Sequence, residues 1–249
     1  MREGRAARIA ANIAKVQERI AKAAESAGRR ADEVLLVAVT KGREAQDVVC
    51  AFRAGLRCFG ENRPEEGFVK KQALAALLSP EEQAKLSWHM IGHIQSRKAK
   101  LVVGQYELVH SLDSLRLAEK LHRLAEQSGQ RVAALLEVNT SGEQTKFGYP
   151  PPEPDGRPHR LFLEELDRIL RLERLEVLGL MTVASVVPEP ELARPYFRAL
   201  RLMVEWLREH YPEVAWQHLS MGMTDDFEAA IAEGATIVRI GRAIFADES

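Results

Sequence analysis

The chain has 249 residues, 46% of them hydrophobic and 29% charged, a balance that permits a sizeable core and, at this length, one or two domains. Its 35 basic residues against 36 acidic ones leave a formal charge of -1, which gives no reason to expect a nucleic-acid or anionic-membrane partner. No apolar run approaches the roughly 18 residues a membrane span needs, and Cys50 and Cys58 are too few for a disulfide framework, so they read as reduced thiols of a cytoplasmic protein.

The first twenty residues, MREGRAARIAANIAKVQERI, are amphipathic and arginine-rich, as transit peptides are. Glu3, Glu18 and Glu25 break the acid-poor pattern, and no apolar core marks a secretory signal. Ile9, Ile13, Val16 and Ile20 recur at helical spacing, which predicts a structural helix packed on the main fold.

Beyond that helix the pattern becomes short apolar strands separated by helix-period stretches. The strand candidates are 34–40, 56–59, 87–91, 107–111, 132–138, 176–182, 215–219 and 236–240. Between the fourth and fifth, Leu117, Ala118, Leu121, Leu124 and Ala125 share one helical face. Strand–helix alternation predicts a parallel sheet covered by helices. Eight such units in this length favour an α/β fold of the (β/α)8 TIM-barrel type, with the extra N-terminal helix, over an open doubly wound sheet; residues 1–249 are expected to form one domain. No G-x-G-x-x-G follows the first strand, and no P-loop pattern appears. The segment GYPPPEPDGRPHR, 148–160, carries five prolines and predicts a long loop after the fifth strand, either plain solvated chain or a flap over a site.

Function in a barrel sits where strands end. Those ends hold Thr40-Lys41, Gly60-Glu61-Asn62, Gly92-His93, Ser111, Asn139-Thr140, Thr182, Ser220-Met221-Gly222 and Gly241-Arg242. HLSMGMTDDFEAAI reads as strand seven, a turn, and a helix capped by Thr224 with Asp225 and Asp226 in its first turn. Loops after strands seven and eight commonly cradle phosphate through backbone amides. Ser220 would add a hydroxyl there, and Gly222 and Gly241 would let backbone approach the oxygens; the plainer reading makes both glycines ordinary turn residues.

Lys41 follows the core strand VLLVAVT. At the rim of a dry barrel its charged form is disfavoured, and the amine becomes a nucleophile toward aldehydes; in water it is an ordinary strand-end lysine. A nucleophilic lysine with a phosphate cradle fits either pyridoxal 5'-phosphate or a sugar-phosphate substrate. Arg239 lies among apolar residues in IVRIG, where a charge is costly unless paired. It either faces a pyridine nitrogen, which favours the first, or pairs with a carboxylate such as Glu137. His89 and His93 have H-x3-H spacing but straddle a strand end without a third ligand, so no metal is expected. The charge-rich segment 61–71 reads as a solvated helix face.

In order, LLVAVTK, FGENR, WHMIGHIQSRK, VHSLDS, VNTSGEQTKFG, LGLMT, LSMGMTDDFEAAI and VRIGRAIF resemble the pyridoxal-phosphate homeostasis protein family. These are single-domain relatives of the amino-terminal barrel of alanine racemase, and the likeness covers roughly residues 8–246. It implies an alanine-racemase-like barrel with pyridoxal 5'-phosphate as cofactor. Carried over by motif, Lys41 resembles the lysine that holds the cofactor as a Schiff base, and Asn62 the residue beside its ring. Ser220, Gly222, Gly241 and Arg242 match positions around the phosphate, largely through backbone amides, and Arg239 matches the arginine facing the pyridine nitrogen. Lys146 in TKFG matches a second family lysine near the site mouth. Arg43 and Glu44 depart from the lysine and proline common there, Arg97 stands where asparagine is common, and the proline-rich insertion is longer than expected.

The resemblance implies a carrier that stores, buffers or delivers a reactive aldehyde, with pyridoxal-phosphate-dependent apo-enzymes as candidate recipients, and not an enzyme. Racemases of this class use a tyrosine from a second, β-rich domain, and a chain ending at Ser249 is expected to lack it. An arginine facing the ring nitrogen also leaves that nitrogen unprotonated and weakens the ring as an electron sink. The rivals are a slow racemase or eliminase that keeps the cofactor, and an aldolase that uses Lys41 without one.

Overall fold

The computed structural model describes residues 2–246. Eight parallel strands close into a barrel in chain order: β1 (Leu35–Val39), β2 (Cys58–Glu61), β3 (Ser87–Met90), β4 (Leu108–Leu112), β5 (Val132–Glu137), β6 (Leu175–Met181), β7 (His218–Ser220) and β8 (Ile237–Ile240). Each lies in or overlaps one of the eight expected apolar runs. The ring closes where Leu35 to Ala38 of β1 register with Ile237 to Ile240 of β8.

The helices, in chain order, are α1 (Arg2–Ser26), α2 (Ala45–Arg53), α3 (Pro64–Leu74), α4 (Pro80–Gln83), α5 (Leu115–Gln127), α6 (Arg160–Ile169), α7 (Arg194–His210), α8 (Phe227–Ala232) and α9 (Arg242–Phe245). Among the described residues none is long and apolar enough to cross a membrane. A 3-10 helix, Ser96–Leu101, takes the place of the outer helix after β3.

The slot after β8 is the incomplete one, because α9 is only 4 residues long. The N-terminal helix completes it: α1 lies across α2, α8 and α9. Ile9, Ile13, Val16 and Ile20 are the buried stripe, 0–4% exposed, and each such side chain contributes about 1.5–3 kcal/mol relative to exposure. Polar ties hold the register, with Asn12 donating to the Ile244 carbonyl at 3.2 Å and Arg5 paired to Asp47 at 2.7 Å.

Two apolar regions follow from strand alternation. Outward residues such as Ala38, Phe59, Met90, Leu136 and Val238 pack under the helices. Val37, Cys58, Leu108, Leu135, Met181 and Ile237 form a separate cluster inside the barrel. On β8, Ile237 belongs to that inner cluster, so Arg239, two residues on, also points inside, where it is 4% exposed.

The proline-rich segment is not helix or strand apart from a single bridge between Val138 and Tyr149. Its far end lies on the outer helical layer, where a Cβ on Gly156 would fall 2.5 Å from the Leu202 carbonyl of α7.

Candidate functional site

At the end of β1 the chain makes a tight turn. The Arg43 amide donates to the Thr40 carbonyl at 3.0 Å, and Gly42 has φ +66°, the left-handed value such a turn demands of its third residue. Lys41 is the second residue of this turn and is exposed, so the expected dry setting is overturned. The strand stops at Val39, and two further residues carry Lys41 past the buried Thr40 into solvent. Among the described residues no hydrogen bond or ion pair occupies its amine.

The end of β2 is buried and charged. Glu61 is 0% and Lys70 7% exposed, and the two form an ion pair. The expectation that 61–71 is a solvated face is therefore wrong at its two most consequential residues. The strand takes Glu61 inward, and α3 turns Lys70 toward it. Glu61 also accepts the Thr40 hydroxyl at 2.5 Å. Asn62 follows, and its buried Oδ1 has no hydrogen-bond partner among the described residues, an acceptor left for a ligand to use. Gly92, after β3, lets the Asn62 backbone close in, because a Cβ there would sit 2.3 Å from the Asn62 carbonyl oxygen.

The turns after β7 and β8 face one another. Arg239 donates its backbone N–H to the Gly222 carbonyl at 3.0 Å. Among the described residues the backbone N–H groups of Gly222, Thr224, Gly241 and Arg242 have no acceptor. Four unpaired amides on two adjoining turns are what a phosphate needs. The helix after β7 starts later than expected. Asp226, not Thr224, is the cap residue of α8, and its carboxylate takes the Met223 amide at 2.6 Å, which closes residues 223–226 as a turn. Gly222 is required there on packing grounds, with φ +93° and a Cβ that would meet the Ala230 Cβ at 2.7 Å. Gly241 packs against Val39, whose carbonyl oxygen would lie 3.1 Å from a Cβ. The Arg242 side chain is exposed and paired with Asp225, leaving its backbone as the part turned to the site.

Ser220 and Arg239 belong to a buried polar layer. The Arg239 guanidinium donates to Ser220 Oγ and, at 2.8 Å, to the Thr182 carbonyl. Glu137 and Asp226 act on it through space and not as direct ion-pair partners, so the simple pairing with Glu137 is not what the structure holds. Burial lowers the Arg239 pKa to about 10, which still leaves it charged near neutral pH. Ser220 Oγ also lies 2.8 Å from His110 Nδ1, and His110 Nε2 lies 2.9 Å from His89 Nδ1. Burial lowers the His89 pKa to about 4 and pushes His110 well down, keeping both imidazoles neutral. With its hydroxyl engaged in this layer, Ser220 has only its remaining hydrogen-bonding capacity for a ligand. His110 was not singled out in the sequence, although a polar residue within the strand ELVHS carries the same signal as Arg239.

On the opposite wall, burial and the neighbouring Asp113 push the Glu137 carboxyl up to about 7, with Arg239 opposing them. His93 pairs with Asp113 at 2.7 Å and stacks on Phe147, so it does not converge with His89. No group of three or more metal-ligating side chains exists among the described residues. Lys146 is held by Glu143 at 2.7 Å and donates to the Val183 carbonyl.

The comparisons with known proteins agree with the barrel fold. Residues 6–249 match the family model described as alanine racemase, N-terminal domain. The chain is 41% identical over 236 residues to the pyridoxal phosphate homeostasis protein of Aquifex aeolicus, covering 94% of this chain and 96% of that one. It is 37% identical over 243 residues to the protein of the same name from Escherichia coli K12, covering 95% of each. Among solved structures it superposes on PipY of Synechococcus elongatus with pyridoxal phosphate bound, at a TM-score of 0.77 and 30% identity, over 96% of this chain and 100% of that one. The barrel, the motifs along its strand ends and identity over nearly full length together place this chain in the pyridoxal phosphate homeostasis protein family.

Proposed function

We propose that this chain binds pyridoxal 5'-phosphate at the carboxyl-end mouth of its barrel and acts in the storage, buffering or delivery of that cofactor. The carrying observation is that an uncommitted amine, Lys41, follows β1, the strand paired with β8, at the same barrel end as four unpaired backbone amides on the turns after β7 and β8. When bound, the cofactor supplies an aldehyde that a primary amine can hold covalently and reversibly. Lys41 is the residue to hold it. Gly222, Thr224, Gly241 and Arg242 offer N–H groups to the phosphate, Ser220 borders them, and Asn62 brings its unpaired Oδ1 to the ring side. Arg239, held by Ser220 and Thr182, presents a fixed cation to the ring nitrogen and keeps a proton off it. The PipY structure, which contains the cofactor, supports the assignment. Homeostasis naming among the relatives supports a carrier over a turnover enzyme. Candidate recipients are pyridoxal-phosphate-dependent apo-enzymes.

The test is the visible absorption of purified protein with added pyridoxal 5'-phosphate, wild type against Lys41→Ala, followed by borohydride reduction and peptide mapping. A yellow wild type tagged at Lys41, with both signals lost in the variant, supports the reading. A colourless protein that takes up no cofactor and does not respond to Lys41→Ala sinks it.

A slow racemase or eliminase is the second reading, favoured by Glu137. A carboxyl pushed up to about 7 at the barrel mouth is suited to moving a proton near neutral pH. Solvent deuterium appearing at the α-carbon of an added amino acid would support it, and its absence over long incubation would remove it.

A further inference from the structure

The Glu61–Lys70 pair has no part in the contacts assigned above, yet its construction is specific. Along α3, Lys70 is 7% exposed while Phe68 and Val69 beside it are 44% and 64% exposed. The helix is thus rotated to put an ammonium inside and two apolar side chains outside, the reverse of ordinary burial. Gly67, one turn earlier, makes room: a Cβ there would sit 2.1 Å from the Tyr106 hydroxyl and 3.3 Å from the Glu61 Cγ. A buried ion pair is poor value as a source of stability, because desolvation offsets its attraction. What the pair secures is placement.

Beyond their contact with each other, both partners bond one residue, while Glu61 Oε2 is buried without a partner among the described residues. Lys70 donates to the Thr40 carbonyl, and Glu61 accepts the Thr40 hydroxyl at 2.5 Å. The Thr40 amide donates to the Gly60 carbonyl at 3.0 Å, and the Thr40 carbonyl takes the Arg43 amide as well, also at 3.0 Å. Every polar group of Thr40 is engaged, so the peptide plane that enters Lys41 has one orientation. The side chain of Lys41 is exposed and untethered, and its backbone is the only part the fold controls. Glu61 is also the residue before Asn62, which couples the same clamp to the unpaired Oδ1.

We propose that Glu61 and Lys70 are positioning residues for Lys41, a buried charge clamp on Thr40 that aims the amine at the cofactor space. The proposal rests on the assignment of Lys41 as the cofactor-holding residue.

The experiment loads wild type, Lys70→Met, Glu61→Gln/Lys70→Met and Thr40→Val with pyridoxal 5'-phosphate. It reads the rate of borohydride-trapped label at Lys41 by peptide mass, and the pH midpoint of the visible band. Unfolding temperature of the unliganded proteins is recorded separately. Lys70→Met strands a buried carboxylate, so the deciding variant is the double one, which removes both charges. Labelling at Lys41 should fall by about tenfold or more, the size expected for loss of one charge-assisted hydrogen bond, and the pH midpoint should move. A double variant that labels Lys41 at the wild-type rate with an unmoved midpoint overturns the proposal. If the double variant does not fold, Thr40→Val decides: it keeps the ion pair and removes only the hydroxyl's contacts to Glu61 and the Gly60 carbonyl, so a fall of about threefold supports the clamp and an unchanged rate overturns it. Wild type that is never labelled at Lys41 defeats the cofactor-binding reading instead, whatever the variants do.

Discussion

The hydroxyl of Ser220 accepts a hydrogen bond from the guanidinium of Arg239 and so joins the last two strands at the level of the barrel's polar layer. The same oxygen meets His110 Nδ1 at 2.8 Å. Ser220→Ala leaves two buried groups, one of them charged, short of a partner. It should cost about 1–3 kcal/mol of unfolding free energy in urea titrations. Ser220→Thr, which keeps the oxygen, should cost less.

Acid should weaken the fold through the two imidazoles. His89 holds a pKa of about 4 against an ordinary 6.5, so the unfolded chain binds that proton first. Its stabilisation is complete above pH 6.5 and is lost as pH falls toward 4, and His110 acts in the same direction. Glu137 has the opposite sign. Raised to about 7 from 4.5, it contributes fully below pH 4.5 and loses that contribution as pH rises through 7. Between pH 6.5 and 4.5 it therefore offsets one histidine. Glu137→Gln should steepen the acid loss by about 1.4 kcal/mol per pH unit in that window, measured from denaturation at fixed pH values. An unchanged slope would show that Glu137 does not titrate there.

Gly222→Ala forces a side chain into a backbone with φ +93° and to within 2.7 Å of the Ala230 Cβ. The expected loss is about 1–3 kcal/mol of stability, with displacement of the turn that carries the free amides. Pyridoxal 5'-phosphate should then lose most of its affinity advantage over pyridoxal, which lacks the phosphate. Equal loss for both compounds would place the phosphate elsewhere.

Ile13→Ala removes a side chain 1% exposed from the centre of the α1 stripe. It should lower stability by about 2–5 kcal/mol, read as a fall in the midpoint of chemical denaturation. A change under about 0.5 kcal/mol would mean that α1 is not part of the cooperative unit.

The eight strands were legible because a doubly covered parallel strand is a largely apolar run, and a run such as VLLVAV is bounded by the polar residues Glu33 and Thr40. The α1 stripe was legible for the same reason at another period. The start of α8 was not: Thr224 and Asp226 are both good cap residues, and only the return bond from Asp226 to the Met223 amide selects between them. Lys70 was hidden because a charged residue among Glu65, Glu66, Lys70 and Lys71 looks solvated until the rotation of α3 is known. The exposure of Lys41 depended on a two-residue overshoot past β1, finer than apolar patterning resolves. Arg239 was visible because a lone charge inside an apolar strand has few explanations, yet its actual acceptors, Ser220 and the Thr182 carbonyl, lie on other strands.

The docking of α1 on α8 and α9 ties the helix that precedes the first barrel strand to the helices beside the last one. During synthesis the stripe of Ile9, Ile13, Val16 and Ile20 can meet α2 early, but its seat on α8 and α9 is missing until residues 227–245 have emerged. At about 5–20 residues per second that is on the order of 10–50 s with the stripe only partly covered. The helix can form early, since its contacts are local, but barrel closure is a long-range event that waits for the final strand. Nascent chains stalled before β8 should therefore be the aggregation-prone species.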